Sequence, residues 1–203
     1  MVAAPPQRST TARYTIADLD QFPDDGKLRE LVDGQIVEWD VTNRLHGYFV
    51  GALARLLGNL VADANLGLVL TAAPLIRIQS SEHDARGPDL CFYARGRVPR
   101  DLTAAVGDEP PDFVIEILSP TDRAGEVQRK VVDWLRAGVQ LLWYVDPDTG
   151  ITTVYHAGRI TSVGPDDDLD GADVLPGFRL RLRTVFDQLA ALQAEPDSMA
   201  TTA

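Results

Sequence analysis

The stretch Asp112-Phe113-Val114-Ile115-Glu116-Ile117-Leu118 is apolar on both of its alternating faces except at Glu116. A short run of this kind, rich in β-branched residues, predicts a strand covered on both sides, inside a sheet rather than on its surface. Covering both faces requires helices, and the flanking sequence offers them. Upstream, Leu45, Phe49, Leu53, Leu56, Leu57, Leu60, Val61 and Ala64 recur at three- and four-residue spacing, one face of a long helix over 43–65. Thr42 is its expected N-cap and Gly67 stands just past its end. Downstream, 122–137 predicts a second helix stopped by Gly138, followed by a buried strand over 140–145 and a turn at 146–150.

Further out the elements are shorter. Runs at 28–32 and 35–40 flank Asp33-Gly34, a strong hairpin signal. Strand-like runs follow at 68–71, 75–79 and 89–93, and a hairpin at 152–155 and 159–163 turns on Ala157-Gly158. Thr15 and Asp18 can cap a short helix over 16–21, and 185–192 closes the chain as a helix. The order is mixed α/β and lacks the regular alternation of a doubly wound sheet or barrel. Without an internal repeat or an interior linker, the expectation is one domain over 14–193 with flexible tails at 1–13 and 194–203.

Composition narrows the function classes. The 203 residues are 45% hydrophobic and 24% charged, typical of a soluble globular chain. Cys91 has no partner for a disulfide, and three scattered histidines (His46, His83, His156) cannot build a Cys/His zinc site. No run of about 18 apolar residues and no apolar leader core is present, which predicts a cytoplasmic protein without a membrane partner. The net charge of −11 opposes nucleic-acid binding unless charge is locally reversed. It is uneven: 15 of the 19 basic residues, but 20 of the 30 acidic ones, precede Val139. Arg86, Arg95, Arg97 and Arg100 face only Asp89 over 86–100.

Glu116 is the first candidate for chemistry. A carboxylate between Ile115 and Ile117 is costly to bury unless a cation or a hydrogen-bond donor meets it. It could pair with an arginine, or serve as one of the one or two carboxylates that Mg²⁺ takes. Asp89, in Gly87-Pro88-Asp89-Leu90, and Glu30, on the first hairpin, are further acids. Taken alone, each reads equally as a solvated strand acid. Lysine usage is unusual: 17 arginines stand against two lysines, Lys27 and Lys130. Lys130 lies on the helix after the Glu116 strand and could reach back over its end, where burial can lower its pKa, or else pair with Glu126. Lys27 reads as a surface charge.

In order, Arg29-Glu30-Leu31-x-Asp33-Gly34, Pro88-Asp89, Val114-Ile115-Glu116-Ile117-Leu118-Ser119-Pro120, Lys130, Ala137-Gly138-Val139 and Trp143-Tyr144-Val145-Asp146-Pro147 resemble the Uma-two family. That family consists of restriction-endonuclease-like proteins of the PD-(D/E)XK nuclease superfamily. The resemblance runs from about Tyr14 to Leu189 and implies a mixed central β-sheet flanked by helices, with the acidic site at the sheet's edge. It implies Asp89 and Glu116 as the motif acids and Glu30 as the family's early glutamate. The motif lysine position is Leu118, and Lys130 takes the displaced position the family uses. His46 resembles a recurring family histidine with an auxiliary role.

The implied activity is hydrolysis of DNA phosphodiester bonds. Asp89, Glu116 and the Ile117 carbonyl would hold Mg²⁺ or Mn²⁺, with Glu30 reaching that ion or a second one. Lys130 would orient or help deprotonate water. Arg86, Arg95, Arg97, Arg100, Arg123 and Arg129 are candidates for the DNA backbone. Cutting both strands of a duplex implies a homodimer. The alternative is a nuclease-fold protein without hydrolytic activity, acting as a nucleic-acid-binding or protein-interaction module.

Overall fold

The computed structural model describes residues 13–194 apart from Asp20, Asp24, Gly26, 40–42 and Ala73. In chain order the elements are α1 (Ile16–Leu19), β1 (Leu28–Val32), β2 (Gln35–Trp39), α2 (Arg44–Asp63), β3 (Gly67–Thr71), β4 (Leu75–Arg77), β5 (Ala85–Arg86) and β6 (Leu90–Ala94). They continue with β7 (Val106–Gly107), β8 (Phe113–Ile117), α3 (Ala124–Ala137), β9 (Leu141–Val145), β10 (Thr152–His156), β11 (Arg159–Val163), β12 (Asp168–Asp170), β13 (Arg179–Arg181) and α4 (Arg183–Gln193).

The run that opened the sequence reading is β8, in the interior of a six-stranded mixed sheet ordered β11-β10-β9-β8-β6-β3. It pairs antiparallel with β6 and parallel with β9. Its period of two sorts its side chains. Phe113, Ile115 and Ile117 face the core built with Phe49, Leu53 and Leu57 of α2 and Val185 of α4. Val114 faces the other core, with Val131 and Trp134 of α3. All five residues of β8 are buried, as are all five of β9. By length and composition α2 would also suit a membrane span, but its apolar stripe is taken up by the sheet.

A second sheet, β2-β1-β5-β4-β7, carries the first hairpin. Asp33 (φ 51°) and Gly34 (φ 75°) are both left-handed, which matches the right-handed twist of the flanking strands and sets Glu30 opposite Val37. β5 and β7 are two-residue strands too short to show a period, and the sequence reading missed them, together with the β12–β13 hairpin. The expected strand over 75–79 stops at Arg77, because Gln79 and Ser80 turn at φ 51° and 56°. The Thr42 cap lies outside the described residues; the Asn43 side chain caps α2 by accepting from the His46 N–H. The expected tails lie outside them too, save Arg13 and Ala194.

At the start of β3 a Cβ on Gly67 would lie 1.9 Å from the Tyr93 carbonyl oxygen, so the sheet tolerates only hydrogen there. Gly67→Ala should lower unfolding free energy by about 1–3 kcal/mol, read from the urea midpoint.

Candidate active site

Glu116 sits near the carboxyl end of β8 on the α3 side. Lys130 and Trp134 are four residues apart on α3, hence stacked on one helix face, and both reach it. The Trp134 indole N–H donates to Oε1 at 2.7 Å. Lys130 Nζ donates to Oε2 at 3.0 Å and lies 3.0 Å from Oε1 as well. Lys130 also donates to the Gly87 carbonyl at 3.0 Å and stands 3.3 Å from Glu30 Oε1. The Trp39 ring lies 5.7 Å from the ammonium.

Glu30 is fully enclosed. Its Oε2 accepts from Arg86 at 2.9 Å and from the Trp39 indole at 3.0 Å, and its Oε1 accepts from the Gly87 N–H at 2.9 Å. Arg86 closes the network by donating to Asp133 of α3 at 2.9 and 2.6 Å. Glu30, Glu116 and Lys130 thus meet, but the oxygens of Glu30 are spent on these donors rather than open toward a cation, where the sequence reading had it reach a metal ion.

Asp89 lies one residue before β6. Leu90 pairs with Ile115, and continuing that register by one sets Asp89 opposite Glu116. Asp89 Oδ2 accepts from the Ile117 N–H at 2.8 Å and from His46 Nε2 at 3.1 Å. Oδ1 takes no hydrogen bond among the described residues, and the side chain is 23% exposed. The acids therefore lie at the ends of interior strands, since β6 and β9 flank β8, and not at the sheet's edge.

The electrostatics follow from this packing. Burial pushes the Glu116 carboxyl up; Lys130 pulls against this, while Asp89 and Glu30 add to it. Burial also acts on Glu30, but Lys130, Arg86 and the Gly87 N–H outweigh it and hold that carboxyl below its ordinary value. For Lys130, burial works downward, yet Glu116, Glu30 and Asp89 together raise it. The lowering that burial alone would give Lys130 is thus outweighed by these three carboxylates. Burial lowers His46, but its bond to Asp89 and the charges of Asp89, Asp122 and Glu116 raise it overall.

The arginines divide. Arg86 was expected on a DNA backbone; its side chain is 5% exposed and its guanidinium is consumed by Glu30 and Asp133, so it is a buried pairing residue instead. Arg95 and Arg97 form a 3₁₀ turn after β6. They stand across the length of that strand from Asp89, about 20 Å at the rise of a β-strand. Arg97 is also held by Asp112 at 2.8 Å. They are therefore too far away to contact a phosphate at Asp89, and Arg100 is exposed in the loop that follows. Arg123, the N-cap residue of α3, is exposed beside the site. Arg129 is exposed on α3 and pairs with Asp33 at 3.0 Å.

The sequence reading missed four participants. Trp39 and Trp134 are the indole donors that hold the two glutamates. Asp122 accepts from the Ser119 N–H at 2.9 Å; burial raises its carboxyl, and the fields of Lys130, Asp89 and His46 reach it. Arg44 is exposed two residues before His46. Spacing signalled Trp134, four residues after Lys130; nothing local signalled Asp122 or Arg44.

Neutralising Glu30 leaves Arg86 and Lys130 short of a buried counter-charge. Glu30→Gln should cost about 3–5 kcal/mol in urea unfolding. Because the carboxyl is depressed in the folded state, its contribution is present above pH 4.5, the ordinary glutamate value. The parent's advantage over the variant should shrink as pH falls below that value.

A family profile described as Uma2, "Putative restriction endonuclease", matches residues 16–183. A crystal structure from Anabaena variabilis, described as a "putative nuclease belonging to DUF820", superposes with a TM-score of 0.75 at 20% identity, covering 86% of this chain and 98% of that chain. No curated protein matches the chain. The likeness to the Anabaena structure shows a shared fold, the mixed sheet flanked by helices. The profile covers most of the chain, which belongs to the Uma2 family.

Proposed function

We propose that this chain is a divalent-cation-dependent endonuclease that hydrolyses DNA phosphodiester bonds. The observation that carries the reading is the placement of Asp89 opposite Glu116 at the ends of adjacent strands, with an ammonium 3.0 Å from Glu116. The donor set fits a hard cation. Mg²⁺ needs only one or two carboxylates alongside water and phosphate, and Asp89 Oδ1 is an oxygen without a donor among the described residues. Asp89 and Glu116, with the Ile117 carbonyl, would hold Mg²⁺ or Mn²⁺. Among the described residues no third Asp, Glu, His or Cys joins them in a metal cage. When bound, such an ion offsets charge on the phosphoryl oxygens and lowers the pKa of its water.

The protein's own groups have separable tasks. His46 and the Ile117 N–H fix one oxygen of Asp89 and so aim the other. Lys130, surrounded by Glu116, Glu30 and the Gly87 carbonyl, orients or helps deprotonate the water. Exposed Arg44, which opens α2 two residues before His46, and exposed Arg123, the N-cap of α3 next to Asp122, would offset the −11 charge of the chain toward a phosphate backbone. Cleavage of both strands calls for two such sites, hence a homodimer.

One observation favours a second reading, a nuclease-fold binding module without hydrolytic activity: every oxygen of Glu116 and Glu30 already accepts from a protein donor. Plasmid nicking in Mg²⁺ or Mn²⁺ separates the two, with short RNA as a parallel substrate. Asp89→Asn and Glu116→Ala should each cut duplex DNA slower by more than about a hundredfold, beyond the usual cost of losing a supporting partner. Equal cleavage by parent and both variants would overturn the proposal. His46→Ala should retain cleavage but need about 10–100-fold more metal, since it only orients Asp89.

A further inference from the structure

Lys130 stands where a cation would stand. An ammonium has three hydrogens, and here Gly87 O, Glu116 and Glu30 surround it at 3.0, 3.0 and 3.3 Å. Two of those hydrogens are given to Gly87 O and Glu116, and Glu30 adds an ion pair to the ammonium. Glu116 in turn has no oxygen free of a donor, because Trp134 and Lys130 occupy both. Asp89 differs, with Oδ1 open. A divalent ion arriving at Asp89 therefore meets one available carboxylate and one already neutralised.

The surroundings allow that neutralisation to be exchanged. Lysine carries a compact charge on a flexible four-carbon stem and can shift without unfolding its helix. Arg86 cannot shift in this way, since Glu30 and Asp133 clamp it from two sides. Glu30 keeps its bonds to Arg86, Trp39 and Gly87 whatever the lysine does, and remains an acceptor for an ammonium that has let go of Glu116.

We propose that the Lys130 ammonium is the resident counter-cation of Glu116, and that a divalent ion binds by exchange against it. The lysine then keeps the cation affinity of the empty site low, and loading the site frees one of its N–H groups for water. The inference rests on the reading of Asp89 and Glu116 as cation ligands and deepens it by naming what regulates their occupancy.

Calorimetric titration with Mn²⁺ alone tests the exchange without recourse to activity. Lys130→Met should bind Mn²⁺ about tenfold or more tighter than the parent, because a like charge beside the ligand oxygens is gone. Lys130→Arg, which keeps the charge, should bind no tighter. Asp89→Asn should bind none. Circular dichroism establishes that each protein is folded, and Lys130→Gln replaces the methionine variant if that one is not. Should Asp89→Asn abolish binding while the neutral Lys130 variant binds no tighter than the parent, the exchange is wrong and the ligand assignment survives. Should the parent and the neutral variant both fail to bind, or Asp89→Asn bind as the parent does, the ligand assignment falls and the exchange with it.

Discussion

A carboxylate buried in the middle of a two-sided sheet must be met by donors that the fold itself delivers. Glu116 is that group, and the α3 side of the molecule is organised around it. One helix face supplies both answers, the Trp134 indole and the Lys130 ammonium. Their spacing fixes how α3 must rotate about its axis to cover β8. The same rotation turns Val131 toward Val114 and Leu142 in the core on that side. Packing and charge compensation therefore select one helix orientation between them.

The network extends the constraint to the second sheet. Lys130 and Arg86 together bring two positive charges, more than Glu116 alone balances, and Glu30 arrives from β1 to share the load. Arg86 sits on the two-residue strand β5, between β1 and β4, and it ties Glu30 to Asp133 of α3. A buried ion network is weak evidence of stability but strong evidence of a required arrangement, since each unpaired member would be costly. Here it joins the hairpin sheet, β5 and α3. Asp89 remains at the open side of this joint, oriented from α2 by His46.

What the sequence revealed depended on how local the determinant was. The two-sided run at β8, the stripe of α2 and the Asp33-Gly34 turn each declare themselves within a few residues, and all three stand close to where they were read. The turn implied more than was drawn from it. With Glu30 opposite Val37, Trp39 falls on the diagonal of the same face, where a long side chain can reach, and it does bond Glu30. Arg86 misled because a buried, doubly paired guanidinium and a free phosphate contact have the same letter in a sequence. The distance of Arg95 and Arg97 from Asp89 also stayed hidden, because they follow it closely in the chain while a full strand length separates them in space. β5 and β7 were invisible because two residues show no period. They exist only by pairing with distant neighbours.

Leu118 and Lys130 show how strand and helix positions differ as sources of an amine. Along β8 the side chains of Val114, Glu116 and Leu118 alternate onto the α3 side, so a lysine two residues after the glutamate would emerge beside it from the strand. In this chain Leu118 instead packs against the apolar cluster under α3, and Lys130 descends onto Glu116 from the helix above. The helical route has a consequence that the strand route lacks. An amine anchored on α3 also passes Trp39 and Glu30, so it has a second acceptor within 3.3 Å when the first is claimed. Moving the lysine from strand to helix therefore gives the ammonium somewhere to go.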